Sequence, residues 1–150
     1  MTVAPFWRAD AYRPGREPCL CLDIQRASRA IGRHFDEAFR PIGLTNWQFS
    51  LLMVIDRRHD APIGTLAIDL GSDRTTLTGN LKPLERRGLV TVRTDMDDRR
   101  RRCVRLTDDG TAVLAEARRL WRAAHDAALD NLDAYDLGAF RGALRTVAGV

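Results

Sequence analysis

Residues 71–106 read GSDRTTLTGNLKPLERRGLVTVRTDMDDRRRRCVRL. Leu77, Leu81 and Leu84 recur at i, i+4 and i+7, one apolar stripe on a helix of 3.6 residues per turn. The opposite side of that helix then carries Thr75, Gly79, Lys82 and Arg86, with Thr76 beside them: small, hydroxyl-bearing and basic, with no acid. Ser72 is expected as the N-cap and Asp73 in the first turn, where its charge suits the helix dipole. Pro83 removes the backbone bond to the Gly79 carbonyl, which predicts a bend or loosened turn. Gly88 ends the helix. The runs LVTVR and CVRL that follow are strand-like and flank a charged loop, so they predict a hairpin. A helix buried on one side and basic on the other suits a surface laid against a polyanion.

Working outward, Leu66, Ala67 and Leu70 form a short helix stopped by Gly71, and the two helices joined by a tight glycine turn make a helix-turn-helix. Upstream, Thr45 and Gln48 form a T-x-x-Q capping box, with Leu44 and Phe49 as its hydrophobic staple, and Leu52 and Ile55 continue the buried side. From Cys19 to Phe39 a stripe of Ile24, Ala27, Ile31, Phe35 and Ala38 predicts a helix, ended by Pro41 and Gly43. Downstream, Thr107 caps a long helix with a stripe of Val113, Ala117, Leu120, Ala124, Ala128 and Leu132. A last segment from Asp136 places Leu137, Phe140, Leu144 and Val147 on one side. Residues 1–18, with Pro5, Pro14 and Pro18 among Phe6, Trp7 and Tyr12, predict an irregular arm that packs on a partner surface.

A helix-turn-helix followed by a basic hairpin is a winged helix. In its ordered words the sequence resembles the MarR family of bacterial transcription regulators: Leu44-Thr45-x-x-Gln48-Phe49, Leu66-Ala67, Asp73-Arg74-Thr75-Thr76-Leu77-Thr78, Leu84-Glu85-Arg86-Arg87-Gly88-Leu89-Val90, Asp98-Arg99-Arg100 and Leu106-Thr107-x-x-Gly110. The resemblance covers roughly residues 20–135. It implies a mainly α fold with a small antiparallel β-wing, in which residues 43–107 form the winged DNA-binding lobe. Residues 19–42 and 108–150 would form a helical dimerisation region. It implies a homodimer on double-stranded DNA, one recognition helix per half-site of a pseudo-palindromic operator, about 34–36 Å apart. Ser72 and the first-turn amides near Asp73 and Arg74 would then hold a phosphate. Thr75, Thr76, Thr78, Gly79 and Asn80 would face base edges, with Lys82 and Arg86 on the backbone. Asp98 would orient Arg100 by a charge-assisted pair so that it enters the minor groove, with Arg99 the competing residue. Relatives often carry a basic residue at the position of Gly79; here that point of the face is bare.

Composition bounds the function. The net charge is +4, and among 24 basic residues only Lys82 is a lysine. Arginine suits bidentate phosphate and base-edge contacts, although a GC-rich coding bias would give the same enrichment. No apolar run approaches the ~20 residues that cross a bilayer, and residues 1–18 lack the apolar core of a signal peptide. A cytoplasmic protein with reduced thiols and no membrane partner is expected. Cys19 and Cys21 open the first helix, where the dipole favours a thiolate. Cys21 also lies in a Cys-x(6)-Ser-Arg pattern similar to the organic-hydroperoxide-sensing branch of the family, whose N-terminal cysteine is the reactive one. Phe35 and Asn46 stand where that branch has tyrosines. The alternatives are a redox-responsive Cys21, with or without Cys19, and a small hydrophobe buried in a dimer interface. Cys103 is read as structural.

Many members of the family bind small aromatic acids, and His34, Phe35, Arg40, Trp47 and Phe49 are the residues here that could line such a cleft. The scattered His34, His59 and His125 give no ligand spacing with Cys-x-Cys, so no metal and no cofactor are expected. No nucleophile with an oriented base is recognisable, so catalysis is not expected either.

Overall fold

The computed structural model describes residues 19–96 and 98–149, so the predicted N-terminal arm lies outside the described residues. Helix α1 (Leu20–Phe39) ends in a 3-10 turn, Arg40–Ile42, closed by Gly43 at φ 63°. Helix α2 (Asn46–Arg58) starts at the expected capping box: Thr45 accepts from the Gln48 amide while the Gln48 side chain accepts from the Thr45 amide. Leu44 and Phe49 beside it are both buried. A two-residue strand β1 (Ala61–Pro62) leads into α3 (Ile63–Asp69), then α4 (Arg74–Arg86), β2 (Val90–Thr94), β3 (Arg102–Leu106), α5 (Asp108–Leu129) and α6 (Leu137–Ala148).

The sheet is antiparallel in the order β1-β3-β2, with Val90 opposite Leu106 and Thr94 opposite Arg102. The sequence pattern announces only β2 and β3. Ala61 pairs with Val104 and Pro62 with Cys103, a register made by a distant partner and invisible in two residues of local sequence.

The helix starts carry one correction. Asp73, not Ser72, is the N-cap of α4, because its carboxylate accepts the Thr76 amide; the Ser72 amide is donated to the Ala67 carbonyl and helps to close α3 beside Gly71 at φ 58°. Thr107 caps α5 as expected, and Asp136, the expected start of the last segment, caps α6, each accepting from the amide three residues on. Helix α4 continues through Pro83 to Arg86 without an interruption.

Phe39, Leu52, Ile55, Leu66, Leu77, Leu84, Val104 and Leu114 are fully enclosed at the junction of α1, α2, α4, α5 and the sheet. Burying each leucine contributes about 1.5–3 kcal/mol. Gly110 lets the first turn of α5 lie on the chain leaving α4: a Cβ there would stand 1.9 Å from the Leu89 carbonyl oxygen. Only the C-terminal half of α1 is buried by its own chain. Leu20 is 63% exposed and Ile31 is 36% exposed, and on α6 Phe140, Leu144 and Val147 face outward.

Candidate nucleic-acid interface

The stripe of α4 lies as the spacing predicts. Leu77, Leu81 and Leu84 are buried, and Thr75, Gly79, Lys82 and Arg86 are exposed on the far side. Several side chains on this helix are already bound to it. Asp73 accepts the Thr76 hydroxyl on one carboxylate oxygen (2.7 Å) and the Thr76 amide on the other (2.8 Å). The hydroxyl, then the amide, hold the Asp73 carboxyl below the usual carboxylate range. Thr78 donates to the Arg74 carbonyl (2.7 Å), and Asn80 to the Thr76 carbonyl (2.9 Å).

Two consequences follow for the expected contacts. The carboxylate of Asp73 takes the Thr76 amide at the helix N-terminus, so Asp73 rather than Ser72 supplies the capping oxygen there. Thr76 and Thr78 present lone pairs and methyls rather than free hydroxyl protons, which suits acceptance from a base amino group or contact with a thymine methyl.

The wing corrects a second expectation. Asp98 does not hold the Arg100 guanidinium; its carboxylate accepts the Arg100 backbone amide (2.9 Å) and its carbonyl accepts the Arg101 amide (2.8 Å). Its own amide is donated to the Asp95 carboxylate (3.0 Å). Asp98 therefore shapes the turn, and the Arg99 and Arg100 side chains extend from it exposed. At the base, Arg93 pairs through both guanidinium nitrogens with Asp60, which sits with His59 in the left-handed region at φ 29° and 49°. That pair joins β2 to the corner between α2 and β1. The pairing of Arg93 with Asp60 carries no signal at sequence separation 33.

The candidate sensing residues fall into separate places. Cys19 is the N-cap residue of α1 and Cys21 lies in its first turn; both are exposed, and the Gln25 amide donates to the Cys21 sulfur at 3.3 Å. Cys103 is buried in the sheet, as a structural cysteine should be, with its thiol donating to Asp95 and pushed up first by burial and then by that bond.

Phe35 and Phe49 are both buried. They belong to a buried aromatic row in which Phe35 stacks on Phe39 (6.2 Å), Phe39 on Phe49 (4.7 Å) and Phe49 on Trp121 (6.4 Å). Aromatics at helical spacing pack together in the core. His34 lies 2.8 Å from the Ala124 carbonyl across α1 and α5, and Arg40 pairs with Glu37 on the surface. Trp47 keeps a buried indole N–H with no hydrogen-bond partner among the described residues. Among the described residues no group of three or more His, Cys, Asp or Glu is arranged to hold a metal, and no helix is long and apolar enough to cross a membrane.

Comparison with known proteins gives this arrangement a setting. The sequence pattern of the MarR family matches residues 44–101, from the capping box of α2 to the wing. The transcriptional regulator MosR of M. tuberculosis, solved in complex with DNA, is 36% identical, with a TM-score of 0.80 over 88% of this chain and 95% of that one. The transcriptional repressor CouR, bound to a 23-mer DNA duplex, is 31% identical, with a TM-score of 0.79 over 87% and 92%. The organic hydroperoxide resistance transcriptional regulator of Bacillus subtilis is 26% identical over 98 residues, 65% of this chain and 67% of that protein. By sequence, order of elements and fold, the chain belongs to the MarR family of DNA-binding transcriptional regulators.

Proposed function

We propose that the protein is a homodimeric, sequence-specific DNA-binding regulator, acting as a repressor that a small ligand or oxidation releases. The observation that carries this reading is the pairing of an acid-free α4 face (Thr75, Gly79, Lys82, Arg86) with an exposed arginine wing on one side of the molecule. The DNA-bound structures of MosR and CouR support it. In this reading α4 enters the major groove of each half-site, and Arg100 or Arg99 enters the adjacent minor groove. Residues 43–107 are the DNA lobe, and residues 19–42 and 108–150 the dimerisation region. The outward apolar side chains of α1 and α6 support the second assignment, because a monomer would leave them in water. A small effector would act near Trp47, whose buried indole N–H is unpaired among the described residues.

The test is a gel shift of the upstream DNA of its own gene across a salt series. Binding that weakens steeply with salt is the expected result, since each neutralised phosphate releases counterions. No shift, or a salt-independent one, overturns the reading. Arg100→Ala should weaken binding with the fold intact; unchanged binding transfers the wing role to Arg99.

A second reading makes the thiols the principal chemistry, with DNA binding as the readout. It is favoured by the exposure of both Cys19 and Cys21 at the start of α1 and by the likeness to the B. subtilis regulator. Mass spectrometry after mild hydroperoxide, with and without Cys21→Ser, separates the two. Unmodified cysteines and unaffected DNA release end the redox reading.

A further inference from the structure

Beside the recognition helix lies an open groove of about 410 Å³, walled by the wing base, the start of α3 and the first turns of α4. Its rim carries Arg74, Arg100, Arg101 and Arg102, and no acidic side chain lines it. Among the described residues none of these four arginines is in an ion pair, whereas Arg58, Arg93, Arg118 and Arg119 each have a carboxylate partner. Pro62, Ile63 and Ile68 line the groove as well and supply an apolar surface, with Ile68 81% exposed. Arginines beside apolar side chains suit a sugar-phosphate unit, whose phosphodiester accepts from the guanidinium groups while the C–H edge of the sugar lies against the apolar atoms.

One residue shows how the seat is kept open. Gly64 has no side chain, and the Arg74 guanidinium lies across it: a Cβ on Gly64 would stand 2.7 Å from Arg74 Nη2 and 3.2 Å from Cζ and Nε. The missing methyl lets Arg74 fold back from α4 onto α3 rather than extend into solvent. The rim arginine of α4 and those of the wing thus border the same groove.

The geometry points to this groove as a seat for one backbone phosphate and its sugar on duplex DNA, clamped between Arg74 of α4 and Arg102 of the wing base. The inference rests on the DNA-binding reading above and adds to it a contact that neither the base-reading face nor the wing tip provides. Asp73 takes the Thr76 amide at the α4 N-terminus, and the groove offers an acid-free, arginine-lined surface beside it. The seat fixes register without reading sequence.

The test uses the full-length chain and a duplex that the wild-type protein enriches from a random-sequence pool. Arg74→Gln and Arg102→Gln should each bind that duplex about tenfold more weakly and lower the slope of log affinity against log salt by about 0.9, the loss of one phosphate contact. Arg105→Gln, on the opposite face of the same strand and outside the groove, removes the same charge and should keep the wild-type slope. Gly64→Ala keeps every charge, displaces Arg74 and should fall between wild type and Arg74→Gln. Single uncharged methylphosphonates stepped along the duplex provide the positional readout. One position per half-site should weaken wild-type binding and become silent in Arg74→Gln and Arg102→Gln. If those variants match Arg105→Gln, or if no position turns silent, the seat is overturned while the DNA reading stands. If the wild-type protein enriches no duplex at all, the DNA reading falls and the seat with it. Far-UV circular dichroism confirms that each variant is folded.

Discussion

Gly110 and Asp73 show how single residues settle local geometry. At Gly110 the Leu89 carbonyl, which also accepts the Thr107 amide at 3.1 Å, occupies the space of a side chain. Gly110→Ala should therefore destabilise the fold by on the order of 3 kcal/mol through overpacking, seen as a lower urea midpoint. A wild-type midpoint would mean that the start of α5 shifts without penalty. Asp73 holds its charge against Thr76, and its carboxyl lies below the usual range. A carboxyl lowered in the folded state adds stability that is present above its unfolded pKa and is lost as pH falls through the folded value. Hydrogen exchange at the Thr76 amide should therefore accelerate on acidification below the usual carboxylate range. Asp73→Ala should exchange faster at neutral pH and lack that acid-dependent step. The local sequence marks this helix start, but Ser72 and Asp73 are both good caps, and only the folded backbone brings the Asp73 carboxylate rather than the Ser72 hydroxyl to the first-turn amide.

At the scale of the element, α4 combines a stripe legible from spacing with a proline that spacing alone misjudges. Pro83 removes one backbone bond, and yet the helix runs to Arg86 with Leu81 and Leu84 buried on either side of it. Tertiary packing holds the turn that the missing bond would loosen. Pro83→Ala should restore the bond to the Gly79 carbonyl and raise the melting temperature, a gain of about 1–3 kcal/mol; a fall would show that the proline ring is itself packed in place. The wing follows the opposite pattern. Its two long strands are legible, but β1, the Arg93–Asp60 pair and the backbone role of Asp98 all depend on partners brought from elsewhere or on the exact turn. Arg93→Ala should leave helix content unchanged and weaken DNA binding by loosening the wing base, measured by gel shift. Equal affinity would mean that β3 alone fixes the wing.

The whole molecule leaves apolar side chains outward on α1 and α6 and an arginine-lined groove beside α4. Leu20, Ile31, Phe140, Leu144 and Val147 face outward from α1 and α6, while the rim arginines border the groove beside α4. In the dimeric reading the wild-type chain should sediment at twice its 16.9 kDa. Phe140→Asp together with Leu144→Asp should give a folded monomer that no longer retards a two-half-site duplex. A dimer surviving both changes would move the interface away from α6.

The sequence by itself determined what local physics can write: helix stripes of period 3.6, the caps at Thr45 and Thr107, the start of the last helix at Asp136, the glycine stops at Gly71 and Gly88, and the basic hairpin. Those signals lie within a few residues of one another, and the ordered family words extend them to a winged helix. Only the tertiary structure decided which aromatics fill the core, where β1 pairs, and that Asp73 closes the α4 N-terminus while Gly64 opens a basic groove beside it. Each of these depends on a contact between chain segments far apart or on the choice between two adjacent residues of equal propensity. Neither is encoded in spacing; both are settled when the elements pack.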